Sequence, residues 1–512
     1  MNLRWLRHIK KCSNTHGKRF LLKYMIEMKK ILKYLFIQCI LLSFIFVLLT
    51  ACSDSEKSAN TPVNDENTEN TEFAETTAAG PILPEILKSD YKNKKFTVLY
   101  PNWSLYNSYY FSDELNGEIM NDTLYERISN IEDVLNIDFT TQCLGYIDTI
   151  QPNVTKTVLA GLAEYDLALT HCISGFMGMA QDGVLLDWHD IPVIDMNAAY
   201  WNKNAQETFT INNKLFYNVN DFILPDINTL FFNKGMINNY SLESPYDKVT
   251  QNIWTWDKLL AMAVVVTEDI NGDGVMNLND QYGYVSDEGA AYNVQTMKSY
   301  DIDYVSLDKD GIPYIALDLS KLVDIMDGIT ALVKGGYTYT YAYATENDPN
   351  HGGKPPLGVD SDQSLFSNVP LSYAEIYRLT EVDFGIIPYP KYNESQEKYM
   401  NLNVSGFMCI PLTAEDTELV GKVVELLGYY GGEKIIPAFY NIVLNTKVSR
   451  DKESEGMLDI IFANIVFDLG WNSSSISLQD FRTYKGEFTS FYEKHYPTWE
   501  AAVKKIADIY NK

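Results

Sequence analysis

Apolar residues are distributed along this chain in three regimes. From Tyr34 to Leu49 they run almost unbroken, with only Gln38 and Ser43 as polar interruptions. From residue 53 to residue 80 there is hardly a large apolar side chain. Beyond Lys94 they recur with the periods of secondary structure. Phe96-Thr97-Val98-Leu99-Tyr100 is a short β-rich run closed by Pro101. Leu115, Ile119, Leu124, Ile128, Ile131 and Leu135 follow at near-helical spacing. Ile137-Asp138-Phe139-Thr140-Thr141 alternates like a strand, Val154, Val158, Leu159 and Leu162 mark a second helix, and Tyr165-Asp166-Leu167-Ala168-Leu169-Thr170 reads as a third strand. The order β-α-β-α-β predicts right-handed crossovers and a parallel sheet. Ligands of such open sheets collect beyond the carboxyl ends of the strands. That rule points to Asn102, Trp103, His171 and Cys172.

Later segments extend the pattern. Lys214-Leu215-Phe216-Tyr217 predicts a strand running into Asn218-Val219-Asn220-Asp221, and Phe384 to Pro390 predicts a strand ended by prolines. The tyrosines of Tyr337-Thr338-Tyr339-Thr340-Tyr341-Ala342-Tyr343 alternate onto one face of a strand and read as packing. The ordered part exceeds what one core usually holds, so an α/β chain of two lobes is expected.

The polar stretch 53–80 cannot bury enough surface to offset its ordering entropy and reads as a tether. Its reach is about 30 Å by random-coil scaling. The apolar run before it is preceded by Met28-Lys29-Lys30-Ile31-Leu32-Lys33 and followed by Leu49-Thr50-Ala51-Cys52. A basic start, an apolar centre and small residues before a cleavage point make a secretion signal. Leu49-Thr50-Ala51-Cys52 resembles the lipobox of bacterial lipoproteins, which implies a diacylglyceryl lipid on Cys52 and removal of residues 1–51. The alternative is a retained anchor helix, but the run is short of the roughly 20 residues that span a bilayer. Translation from Met1 or from Met28 gives the same mature chain.

Composition narrows the function classes. The whole chain carries a net charge of −27, and removing the ten Lys/Arg and one Asp/Glu of residues 1–51 leaves −36. That balance argues against nucleic acid, whose phosphates need a basic surface. After Cys52 only Cys143, Cys172 and Cys409 remain, an odd, scattered set that reads as free thiols. His171, His189, His351 and His495 form no zinc-type pair. The chain has 36 Tyr and 8 Trp; most read as core and surface packing, and some excess is what a sugar-binding cleft would use, since aromatic faces stack on pyranose rings.

Several segments together resemble the extracellular solute-binding proteins of the maltose-binding-like family, in their clostridial type. They are Tyr165-Asp166-Leu167 with Gly183-Val184-Leu185-Leu186-Asp187-Trp188; Lys214-Leu215-Phe216-Tyr217 with Leu230-Phe231-Phe232-Asn233-Lys234; Trp254-Thr255-Trp256-Asp257-Lys258-Leu259-Leu260, where the Thr255 hydroxyl can cap a helix; and the late run Leu444-Asn445-Thr446-Lys447 to Asp468-Leu469-Gly470. The resemblance implies a two-lobe periplasmic-binding-protein type II fold with hinge crossovers. Residues 52–91 would form the lipidated tether, 92–219 with 396–446 lobe one, and 222–395 with 447–512 lobe two. It implies a non-enzymatic, monomeric subunit of an ABC importer, lipid-anchored on the outer face of the cell membrane beside permease subunits. That subunit would capture a carbohydrate, an oligosaccharide, by hinge closure. Ligand contacts are then expected from Trp103, His171, Asp221, Tyr373 and Trp201. The family's 2-1-3 order of first strands would separate Cys143 from Cys172 and exclude a disulfide between them.

The sharpest local motif is Asp269-Ile270-Asn271-Gly272-Asp273-Gly274-Val275-Met276-Asn277-Leu278-Asn279-Asp280, which matches D-x-N-x-D-G with an acid at the twelfth place. Calcium takes about six to eight oxygens. Asp269, Asn271 and Asp273 would supply side chains, Val275 its carbonyl, Asn277 an amide oxygen or a water contact, and Asp280 the closing carboxylate. Aspartate in place of glutamate resembles a dockerin loop, although a dockerin needs two loops and one is visible. The bland alternative is an acidic, Gly-rich turn without metal.

Two rival functions share this sequence: a surface glycan hydrolase working through two carboxylates, and a glycan-binding or adhesion lipoprotein without a transporter. G-x-S-x-G, H-E-x-x-H, Walker and G-x-G-x-x-G motifs are all absent from the sequence.

Overall fold

The computed structural model describes residues 87–102, 110–287, 290–341, 357–377, 380–444, 452–476 and 487–511. The signal segment, Cys52, the tether and Trp103 lie outside the described residues.

In chain order the strands are β1 (Lys94–Tyr100), β2 (Ile137–Cys143), β3 (Leu167–Thr170), β4 (Asn228–Asn233), β5 (Tyr282–Asp287), β6 (Val305–Leu307) and β7 (Pro313–Ile315). They continue with β8 (Thr338–Tyr341), β9 (Ser364–Pro370), β10 (Phe384–Ile387), β11 (Asn401–Leu402), β12 (Phe407–Cys409) and β13 (Ile465–Val466). One sheet has the order β12-β3-β1-β2 and the other β10-β4-β9-β5-β8. β1 is parallel to β2 and β3, while the late strand β12 joins antiparallel to β3. In the second sheet β5 is parallel to β8 and β9, and β4 is antiparallel to β9 and β10. Each sheet is the centre of one lobe.

The first lobe follows its sequence pattern closely. Phe96, Val98 and Leu99 are wholly buried, as expected of a strand covered on both faces. Helix α1 (Ile119–Leu135) buries Met120, Leu124, Arg127, Ile131 and Leu135 and stops at Asn136, whose φ of 49° is left-handed. Helix α2 (Ile150–Leu159) buries Ile150, Val154, Thr157 and Val158. Both helices are shorter than the apolar spacing suggests. Leu115, Ile119, Leu159 and Leu162 stay exposed. Asp122 holds the N–H groups of Asn116 and Gly117 just before α1. After α2 the N–H groups of Gly161 and Leu162 turn back onto Val158 and Thr157.

Lys214–Tyr217 is not a strand. Asn212 and Asn213 have φ of 47° and 59°, and Ile211 and Lys214 pair across them. The turn chemistry of Asn-Asn outweighs the β-rich run that follows. Thr255 does occupy the N-cap of the helix Trp256–Val266, but its side chain accepts no capping bond.

The chain leaves the first sheet after β3, enters the second at β4, and returns at β12. The two crossing segments lie side by side: Asn218 and Met408 exchange both backbone bonds at 3.1 and 3.0 Å, and the Val404 N–H donates to the Asp226 carbonyl at 2.8 Å. A third connection is helical. Helix α3 (Thr417–Tyr430) packs on α1, passes through the π-helical turn Gly431–Ile435, and continues as α4 (Ile436–Leu444) to reach the short helix Tyr373–Tyr377 of lobe two. The last helix, α5 (Phe488–Tyr510), packs on β7 and on the helix Leu319–Lys334 and also touches lobe one, where the Tyr510 ring lies 5.0 Å from that of Phe216.

Candidate ligand site at the lobe junction

The carboxyl ends of β1, β2 and β3 are joined into one edge. The Asn102 N–H donates to the Gly145 carbonyl, and the Ser174 hydroxyl reaches the Ile147 carbonyl at 3.5 Å. His171 sits on this edge, buried. Its Nδ1 accepts from the N–H groups of Ile173 (3.2 Å) and Ser174 (3.3 Å), so Nε2 carries the ring proton. Burial lowers its pKa to about 4, and the ring is neutral at physiological pH. Cys143 is in no disulfide, and Cys172 and Cys409 are buried free thiols pushed upward by burial. Such thiols are poor nucleophiles. β1 lies between Cys143 on β2 and Cys172 after β3. The C-terminal segment docks here too, where Asn472 Nδ2 donates to the Cys172 carbonyl at 2.9 Å.

Among the described residues, an exposed aromatic on this edge is Tyr146, 60% accessible, close in sequence to the exposed Leu144. The sequence pattern put β2 at Ile137–Thr141 and drew candidates only from the loops after Tyr100 and Thr170. The signal it passed over is Leu144-Gly145-Tyr146, a large ring directly after a glycine turn at a carboxyl end.

Asp221 lies on the first crossover. Its N–H donates to the Tyr200 carbonyl, but among the described residues no donor reaches its carboxylate. Burial raises that carboxyl to about 7. The π-helical turn backs it so closely that a Cβ at Gly431 would lie 2.1 Å from the Asp221 carbonyl oxygen, and one at Gly432 would lie 2.7 Å from Oδ2. Trp201 is a near neighbour through the bridge to Asn220, but its contacts are internal. Its Nε1 donates to Glu425 Oε1 at 2.7 Å, its ring meets Trp188 edge-on, and it is 3% exposed. Tyr200 donates to the other Glu425 oxygen.

Tyr373 is in lobe two at the start of the Tyr373–Tyr377 helix. It is 2% exposed, with its ring edge-on to Tyr377, so here it offers no open face for stacking. That helix start is held by Asp226, which accepts from the Ser372 N–H and hydroxyl at 3.3 and 3.4 Å. Asp226 is fully buried and raised to about 7. Sequence reasoning missed it because nothing local distinguishes it from other acids. The structure thus places His171 on the lobe-one edge, Asp221 with Trp201 at the crossover, and Tyr373 in a lobe-two helix whose start is tied to the first crossing segment at Asp226.

The Asp269–Asp280 loop joins the helix Trp256–Val266 to β5, and a bridge between Glu268 and Gln281 closes it. Its side chains fold it locally. Asp269 accepts from the N–H groups of Gly272 and Gly274, Asn271 from that of Asp273, Asp273 from that of Val275, and Asn277 from that of Asn279. Asp280 is fully buried and accepts from Ile270 and Asn277. The Val275 carbonyl accepts from the Asn277 amide. Hard oxygen donors suit calcium. Among the described residues, however, no three acidic, His or Cys side chains gather as a metal cluster, and the twelfth-position acid is turned inward to hold the loop's own backbone.

Sheet order, the antiparallel return strand and the paired crossings define the two-lobe α/β fold of the type II periplasmic binding proteins. This is the architecture of the maltose-binding-like solute-binding proteins. No family model matches the sequence, and no curated protein matches it. Solved structures do match by fold. A sugar transporter protein from Rhizobium etli in an open conformation has a TM-score of 0.53 at 14% identity, over 81% of this chain and 99% of its own. A cyclic α-maltosyl-1,6-maltose binding protein from Arthrobacter globiformis has 0.52 at 13%, over 82% and 100%. A cyclo/maltodextrin-binding protein complexed with maltotetraose has 0.51 at 14%, over 82% and 97%.

Proposed function

We propose that this chain is the ligand-capturing subunit of an ABC importer, that it takes an oligosaccharide between its lobes by hinge closure, and that a lipid on Cys52 holds it at the outer face of the membrane. The observation that carries the reading is Asp221: a largely buried carboxylate on a crossover, with no donor of its own among the described residues. Sugar hydroxyls are donors, and a hydrogen bond to a charged acceptor contributes about 1.5–3 kcal/mol. Neutral His171 lies on the lobe-one edge, and Tyr146 offers a ring face for a pyranose. Closure must draw on contacts made only in the closed state. A donor satisfying Asp221 in that state is such a contact. The relatives by fold that bind maltodextrins support the choice of ligand class.

The test is to incubate the chain with a panel of maltodextrins and other oligosaccharides, following the melting temperature and the products together. Stabilisation without turnover is the expected result. Turnover would make the chain a hydrolase, and the absence of any shift across the panel would sink sugar capture.

We also propose that the Asp269–Asp280 loop binds calcium as a structural ion through Asp269, Asn271, Asp273, Val275, Asn277 and Asp280. What supports it is the register of oxygen-bearing residues and the left-handed Gly272 and Gly274 (φ 70° and 78°) that curl the loop.

A further inference from the structure

The Arg127 guanidinium is fully buried within lobe one, a place where arginine is almost never found without a paired charge. No carboxylate among the described residues pairs with it. Nη1 donates to the Phe222 carbonyl at 3.3 Å, and Nη2 donates to the Tyr110 carbonyl. The guanidinium carbon lies 4.7 Å from the centroid of the Phe222 ring, and Nε finds no acceptor among the described residues. Burial lowers the group to about 9, which leaves it a cation at neutral pH. A buried cation facing carbonyl dipoles and a ring face, with no carboxylate partner among the described residues, is costly to bury, so what it joins matters.

It joins three elements. Arg127 itself belongs to α1, in the body of lobe one. Tyr110 lies on the connection from β1 to α1. Phe222 lies on the first crossover, next to Asp221. Aromatic rings fill the path between them: Tyr100 to Phe111 at 5.3 Å, Phe111 to Phe222 at 5.7 Å, and Tyr110 to Phe222 at 6.1 Å. The π-helical turn, which also packs on α1, meets the same crossover, and a Cβ at Gly431 would lie 2.8 Å from the Phe222 nitrogen. The crossover is therefore in close contact with both a guanidinium and a glycine.

We propose that Arg127 is a positioning residue that couples the connection following β1 to the hinge, so that a displacement at Tyr110 is transmitted to Phe222 and Asp221. A planar fork fixes two carbonyls relative to each other, which the point charge of lysine does not do. The coupling serves ligand capture insofar as hinge closure is the chain's work, and so rests on the function proposed above.

Arg127→Met keeps the length and apolar stem of the side chain and removes the charge. Amide hydrogen exchange on the full chain, without sugar, reads the result. Exchange across 110–118 and across 218–223 is expected to rise together by roughly tenfold, the effect of losing a charge-assisted hydrogen bond, while α2 keeps its protection. Unchanged exchange in those two segments, or an even rise throughout lobe one, would overturn the coupling. Arg127→Lys is the second variant, read by the same criterion if the methionine variant does not fold. Failure of both to fold would mark Arg127 as simply structural and also overturn it. Because no sugar is present, a negative result here leaves the capture reading standing, and a native chain that binds no sugar would leave the coupling standing.

Discussion

Burial raises the Asp221 carboxyl to about 7, and it raises Asp226 to about 7 and Asp468 to about 6. In each case the folded state holds the proton more tightly than the unfolded chain does. The stability these groups contribute is complete below about pH 4 and is lost as pH rises toward 7. His171 works in the opposite direction: its lowered pKa makes the folded state release a proton, so its contribution grows as pH rises from about 4 to 6.5. The difference between the native chain and Asp221→Asn isolates one group. In thermal melts, the advantage of the Asn variant should be smallest near pH 4, widen toward pH 7 and then level off. At about pH 8 and above, where the carboxyl is ionised, the same variant should bind sugar more weakly by about tenfold, since a neutral amide replaces the charged acceptor. A flat difference across that range would show that Asp221 titrates normally and is solvated.

At the scale of elements, the helical crossing is the most constrained piece. α3 and α4 are one continuous rod broken by a π-helical turn, and π-bulges are frequent at functional sites. Gly431 lets that turn meet the crossover at a distance no side chain would permit. Gly431→Ala should therefore cost about 1–3 kcal/mol through backbone displacement, measured by denaturant unfolding. A change near zero would mean the turn shifts freely. The acidic loop gives a second prediction. After chelation, titrating calcium should raise the melting temperature, and Asp269→Ala should abolish the rise. Asp280 must leave two backbone donors to ligate, so the gain is the metal's contribution less those bonds. No calcium-dependent rise would leave the loop a self-capped turn.

The first lobe's β-α-β-α-β order was legible because β3 and the centre of β1 are buried on both faces, the edge strand β2 begins with buried and exposed positions in alternation, and the helices keep a clean apolar stripe. Helix ends were less legible, since Asp122 and Gly161 set them through local bonds that periodicity does not register. Lys214–Tyr217 misled because its β-rich composition serves burial of Leu215 and Tyr217 in an irregular segment. Among candidate site residues, strand order pointed to the carboxyl edge, and the family resemblance pointed to Asp221. It could not show that Trp201 is engaged with Glu425 or that Tyr373 faces inward, because those facts depend on partners more than 200 residues away or on another element. Arg127 was invisible for the same reason: a lone arginine on a helix normally faces solvent.

For the whole molecule, a net charge of −27 keeps the chain soluble and away from polyanions without naming a ligand. The proposed lipid on Cys52 and the polar stretch after it would let the two lobes sample their surroundings while staying near a permease. Cys52→Ser should move the protein from the membrane fraction to the medium; retention in the membrane would contradict lipid anchoring. The central claim is capture by closure between lobes, and solution scattering tests it most directly. Added maltodextrin that stabilises the chain should also shrink its radius of gyration, and Asp221→Asn should blunt that contraction. Sugar that binds while the radius of gyration stays unchanged would contradict the account.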